Sequence, residues 1–149
     1  CASGDPAAAA AEFGALAQDG NKGYAALASL QQAAALVEAG DLEAGVITYK
    51  KLADDAAMPA VFRELARLLS VTHRIDSGDP ATLSREISAL ANTSGPWRPL
   101  AREAEALIAL KAGDKAKARE ILEGLTADAE TPAQLRARAT ELLSAIGSE

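Results

Sequence analysis

One three-residue turn recurs along the chain and limits what it can fold into. Ser3-Gly4-Asp5, Ala39-Gly40-Asp41, Ser77-Gly78-Asp79 and Ala112-Gly113-Asp114 each place a small residue, then Gly, then Asp. The glycines stand 36, 38 and 35 positions apart. Self-similarity at this spacing is the signature of stacked helical repeats, in which no unit buries its apolar face alone. The match runs well beyond the turn. Sixteen residues before the three inner glycines stand Tyr24, Phe62 and Trp97, and twelve before stand Ala28, Ala66 and Ala101. Nine residues after come Tyr49, Ile87 and Leu122, and twelve after come Leu52, Leu90 and Leu125. Phe13 and Leu16 fill the same two places after Gly4. Within each turn Gly suits the residue that ends one helix, and Asp suits the N-cap of the next. A connection this short sets the two helices antiparallel.

Composition agrees with helices and excludes several functions. Hydrophobic residues make up 49% of the 149 but aromatics only 3%, so the apolar share is chiefly Ala and Leu. Alanine is the strongest helix former, and sparse Val and Ile argue against strands. No run approaches the roughly 20 apolar residues of a membrane span. A net charge of −6 disfavours nucleic acid, which requires a concentrated basic surface. Arginines 63, 67, 74 and 85 read as a solvated face. A single cysteine excludes an internal disulfide and a thiolate metal site. His73, the one histidine, lacks a second His or Cys and reads as a helix-surface residue. Ser29 and Ser70 sit mid-helix without a nucleophile elbow. Asp79 and Asp114 read as caps rather than calcium ligands. Tyr24, Phe62 and Trp97 share a repeat position and are expected in the core. The expectation is a chain that is not an enzyme and holds no cofactor or metal.

Taken in order, the chain predicts eight helices in one domain over 1–149. Residues 5–19 form the second helix of a truncated repeat, with Asp5-Pro6 opening it, Phe13 and Leu16 on its inner stripe and Gly20 ending it. Helical hairpins follow over 22–54, 59–91 and 96–127, and 131–147 is a capping helix. The apolar stripe of the second helix includes Tyr24, Leu27, Ala28, Leu30, Ala34 and Val37, and one face of the third carries Val46, Tyr49, Leu52 and Ala53. The fourth helix runs from Pro59 to about Asp76, where Ser77-Gly78 closes it. Leu83, Ile87 and Leu90 point inward on the fifth. The sixth spans about Pro96 to Ala112 and includes Trp97, Leu100, Ala101, Leu107, Ile108 and Leu110, and on the seventh Ala118, Ile121, Leu122 and Leu125 point inward. Thr131-Pro132 caps the eighth, whose outer face carries Arg136, Arg138 and Glu141.

Helix, Gly-Asp turn, helix and a leading proline resemble the tetratricopeptide repeat, through Gly40-Asp41, Gly78-Asp79 and Gly113-Asp114 with Pro59, Pro96 and Pro132. The pattern departs from it at Val71, where a small residue is usual, and at Gly45 and Leu83, where Ala is usual. The fold this implies is an all-α, right-handed superhelical α-solenoid of antiparallel helix pairs. A narrower resemblance spans nearly the whole chain. The stretches GYAALASLQQAAALVEAGDLEAGVITYKKLADD, GPWRPLAREAEALIALKAGDKAKAREILEGL and TPAQLRARATELLSAIG are similar to the tetratricopeptide-like periplasmic domain of a proteobacterial inner-membrane family, the ancillary subunits of the Sec translocon. That resemblance implies a membrane span upstream of Gly4 and a place on the periplasmic side of the inner membrane. Its partners would be proteins, such as the Sec translocon or a periplasmic chaperone, with the membrane reached only through that anchor.

Transferring the repeat's arrangement puts Gln31, Ala34, Glu38, Leu68, Thr72, Ile75, Glu103, Leu107 and Lys111 on a concave, partner-binding face. Its mixed character suits a helix or an extended apolar segment. Cys1 admits two readings, the edge of an excised piece or the lipid-bearing first residue of a lipoprotein, and the second supports an alternative role as a scaffold in envelope assembly. A second copy of the chain completing the first helix, as a homodimer, is a further expectation.

Overall fold

The capping aspartates behave as their positions require. The structure, a computed structural model, describes residues 6–16 and 21–147, with the side chains of 12, 13, 15 and 16 outside that description. Asp41 Oδ1 accepts the Ala44 N–H at 3.0 Å, Asp79 Oδ2 accepts that of Thr82 at 2.8 Å, and Asp114 Oδ1 accepts that of Lys117 at 3.0 Å. Each opens a helix that would otherwise start with unpaired donors. Gly40 and Gly113 take φ of 89° and 82°, the left-handed conformation that only glycine adopts cheaply. The first turn copy, Asp5, the Gly20 stop, Cys1 and the inner stripe of Phe13 and Leu16 lie outside the described residues.

The helices are α1 (Pro6–Leu16), α2 (Lys22–Glu38), α3 (Leu42–Asp54), α4 (Ala60–Thr72), α5 (Pro80–Asn92), α6 (Arg98–Lys111), α7 (Lys115–Ala127) and α8 (Ala133–Gly147), with no strand among the described residues. They gather into two units, Cys1–His73 and Arg74–Glu149, so the expected hairpin over 59–91 spans the boundary between them. In the first unit α1 packs on α2, α2 on α3 and α3 on α4, and α2 also reaches α4. Its core joins Ala26, Leu30, Ala33, Tyr49, Leu52, Ala53 and Ala66, with Val37, Phe62, Leu65 and Leu69 against them. In the second unit α5–α6, α6–α7 and α7–α8 pack in the same neighbouring fashion, and α6 reaches α8. Ala106, Ala118, Ile121, Leu122, Leu125, Leu135, Ala139 and Ile146 are among its core residues.

The repeat positions of α3, α5 and α7 are buried. Tyr49, Ile87 and Leu122 are 2%, 0% and 0% exposed. Because each Asp cap is exposed and its bond is local, Asp41→Ala is expected to cost about 1 kcal/mol with the fold retained. Urea unfolding followed by circular dichroism measures it.

Three expectations require correction. First, α4 stops at Thr72, and Ile75 and Asp76 lie in turns rather than in the helix. The extra length of this repeat is absorbed there. The Arg74 carbonyl accepts from both Ser77 N (3.2 Å) and Gly78 N (2.7 Å), while the Arg74 guanidinium pairs with Glu86 of α5. A Cβ on Gly78 would lie 2.9 Å from that carbonyl oxygen and 3.1 Å from Leu83 Cδ1, so this glycine serves close approach, not a left-handed turn. Second, Tyr24 and Leu27 are 72% and 45% exposed. Of the three repeat-equivalent aromatics, Phe62 packs on the core of the first unit, Trp97 is half-buried and Tyr24 is not in the core. Third, Thr131 does not cap α8 through its side chain. Its hydroxyl has no hydrogen-bond partner, and it is the Pro132 carbonyl that accepts from Arg136 N.

Candidate functional site

The second helix has three faces, and only two are covered. Ala26, Leu30, Ala33 and Val37 point to the core shared with α3 and α4. On another flank Gln32 meets α1 at Gly14, where a Cβ would lie 2.6 Å from Gln32 Nε2, and Ala25, Ala28 and Ala35 are buried. Between them runs a third stripe at helical spacings of three and four: Tyr24, Leu27, Gln31, Ala34 and Glu38. Tyr24, Leu27, Gln31 and Glu38 are exposed and Ala34 is half-buried. No described helix covers this stripe. Gln31, Ala34 and Glu38 are three of the nine residues expected on a binding face, and the structure sets them in one line with two large apolar side chains.

The other six are placed differently. Leu68 is 4% exposed, buried within the fold, and so offers no side-chain surface. Thr72 donates its hydroxyl hydrogen to the Leu68 carbonyl at 2.9 Å. Ile75 lies in the turn after α4. Glu103 is held in a two-pronged pair by Arg138 of α8, with Nε to Oε1 and Nη2 to Oε2 both at 2.8 Å. Hydrogen bonding to Glu103, set against some desolvation, holds the Arg138 guanidinium above its ordinary pKa. Leu107 is half-buried. Lys111 Nζ stands 3.7 Å from the exposed Asp76 carboxylate. The structure thus brings together the three residues on α2, adds Tyr24 and Leu27, and commits Glu103 to an intramolecular pair.

Sequence reasoning missed Tyr24 and Leu27 as surface residues because it assigned one face to every apolar residue of α2. The signal was present in their spacing. Tyr24 and Leu27 continue the line of Gln31, Ala34 and Glu38, on a different side from Leu30 and Val37.

His73 is the C-cap of α4 and half-buried, not a free helix-surface side chain. Its ring stacks on Tyr49, with centroids 5.8 Å apart and planes 12° from parallel. The contact is a packing contact between a buried and a half-buried ring. No cluster of three His, Cys, Asp or Glu among the described residues is arranged to hold a metal, and no described helix is long and apolar enough to cross a membrane. Compared with protein-family models, curated proteins and solved structures, the chain matches none of them.

Proposed function

We propose that the chain is a non-catalytic interaction module that binds a partner protein along the exposed stripe of α2. The supporting observation is that stripe itself: two large apolar side chains, Tyr24 and Leu27, held in water by a packed helix and flanked by Gln31, Ala34 and Glu38. An aromatic and a leucine one turn apart form a ready anchor for a partner's amphipathic helix or extended apolar segment. The resemblance of the Gly-Pro-Trp-Arg and Ala-rich segments to the periplasmic domain of ancillary Sec subunits supports a setting. In that setting the chain is tethered to the periplasmic face of the inner membrane, and its partners are translocon components or envelope chaperones.

Tyr24→Ser and Leu27→Ser are each expected to weaken partner binding by about tenfold or more. Both sites are exposed, so stability should change by no more than about 0.5 kcal/mol. Photocrosslinking from position 24 or 27 of the membrane-tethered protein, followed by identification of the adduct, provides the test. Adducts to translocon subunits or chaperones support the reading. Adducts only to a second copy of the chain, or none at all, sink it.

A further inference from the structure

The second unit holds a pocket of ≈ 200 Å³ between the start of α6 and the turn that joins α7 to α8. Leu125, Pro96, Pro99 and Pro132 supply apolar lining. Arg98 and Arg102, one helical turn apart on α6, bring two positive charges, and Asp128 and Glu130 bring two negative ones. Neither guanidinium has an ion-pair or hydrogen-bond partner among the described residues. Arg102 is set in place by its neighbour: a Cβ on Gly124 would lie 2.7 Å from Nη2, so α7 leaves room for the guanidinium only because residue 124 lacks a side chain. Thr131, another lining residue, is 2% exposed and its hydroxyl is unpartnered. A buried hydroxyl of this kind is ordinarily hydrogen-bonded.

Charge selects the ligand. A bare anion would gain from the two arginines and lose comparably to the two carboxylates, since all four line one small cavity. A bare cation meets the reverse. Only a ligand with both charges, separated, gains from every charged group. Asp128 remains available for this, because its turn engages one oxygen: Oδ1 accepts the Glu130 N–H at 2.9 Å. The pocket is below the size of cavities that hold drug-like molecules, which fits a small metabolite. The helix N-terminus adds little, since the Arg98 N–H already bonds the Gly95 carbonyl and Pro99 has none to offer.

We propose that this pocket binds a small zwitterion of the amino-acid class, its carboxylate on Arg98 and Arg102 and its ammonium on Asp128 and Glu130. The site is separate from the α2 stripe and stands or falls without it. Titrating the ¹⁵N-labelled protein with glycine and L-alanine, and in parallel with acetate and methylammonium, tests the assignment by amide shifts. The amino acids should saturate shifts in residues 94–102 and 128–132 with a Kd of about 1 mM. Each half-ligand should bind about tenfold more weakly. Arg102→Gln, and separately Arg98→Gln, should weaken the amino acids by about tenfold while the amide spectrum of α7 and α8 keeps its folded dispersion. Acetate binding as tightly as alanine overturns the proposal, as does no saturation by about 100 mM. Unchanged affinity in both arginine variants also overturns it.

Discussion

Replacing Tyr49 by alanine is expected to cost about 3–5 kcal/mol, enough to unfold the first unit at modest urea concentration. Tyr49 is 2% exposed and lies where α2, α3 and α4 meet, among Leu30, Ala33, Leu52 and Ala66. Its ring also carries the stacked His73 at the end of α4. Alanine there leaves a cavity that helices already close-packed through small residues collapse into only in part. Urea unfolding with amide exchange of residues 22–72 measures the effect. A loss below about 1 kcal/mol would show that Tyr49 is not the keystone of this core.

The same side chain carries a pH signature. Burial first, and the nearby Glu38 carboxylate second, raise the Tyr49 hydroxyl above its ordinary 10.0. A group whose folded pKa is raised contributes stability that is full below the unfolded value. That contribution drains away as pH rises through the folded one. Stability should therefore fall from about pH 10 upward. Tyr49→Phe should flatten that alkaline limb relative to the parent, and a limb as steep in the phenylalanine variant assigns the effect elsewhere.

The second large effect lies at Gly45. A Cβ there would stand 2.5 Å from Val37 Cγ2 and 2.9 Å from the Ala33 carbonyl oxygen, across the α2–α3 contact. The first obstacle is a side chain, which can turn aside. The second is backbone, so the two helices must separate. Alanine recovers about 1 kcal/mol of helix propensity, and overpacking costs about 1–3 kcal/mol. Gly45→Ala is therefore expected to be mildly destabilising. Gly45→Val, with a branched Cβ in the same gap, is expected to cost about 3 kcal/mol. Adding Val37→Ala should recover part of that loss, a coupling of about 1 kcal/mol in a double-mutant cycle. Strict additivity would mean that the carbonyl alone sets the cost.

Gly45 also explains a departure from the repeat pattern, since the equivalent positions carry Leu83 and Ala118, both buried. Their size follows the local helix–helix gap. A side chain of any size is compatible with the pattern, and only the neighbouring helix says which fits. The same lesson holds at the turns. Gly40 and Gly113 are glycine for backbone conformation, while Gly78, at the same repeat position, is glycine because Arg74 O and Leu83 press on it.

How legible each helix was depended on how many neighbours it serves. The second helices, α3, α5 and α7, carry one apolar stripe apiece, and the positions expected inward on them are buried. The first helices carry wider apolar surfaces. On α2 the apolar residues divide between a core face, an α1 face and an open stripe, and periodicity alone cannot say which is left uncovered. Expectations at Tyr24 and Leu27 failed for that reason. Leu68 and Glu103 illustrate the other limit. Each sits at a plausible surface register, but one is buried by packing and the other is taken by Arg138, thirty-five residues away in the chain.

The sequence by itself determined the described helices, nearly all their limits, the caps at Asp41, Asp79 and Asp114 and the buried stripes of α3, α5 and α7. These follow from local backbone preferences and from spacings of three and four, which act within a few residues. Only the tertiary structure decided which stripe of α2 stays in water, which glycine answers to φ and which to a neighbour, where the over-long third turn breaks α4, and that Arg98, Arg102, Asp128 and Glu130 line one cavity. The open stripe and the shared cavity are relations between segments far apart in the chain, while Gly78 and the end of α4 answer to contacts with Arg74 and Leu83 a few residues away. No local propensity encodes them, and helix packing sets them.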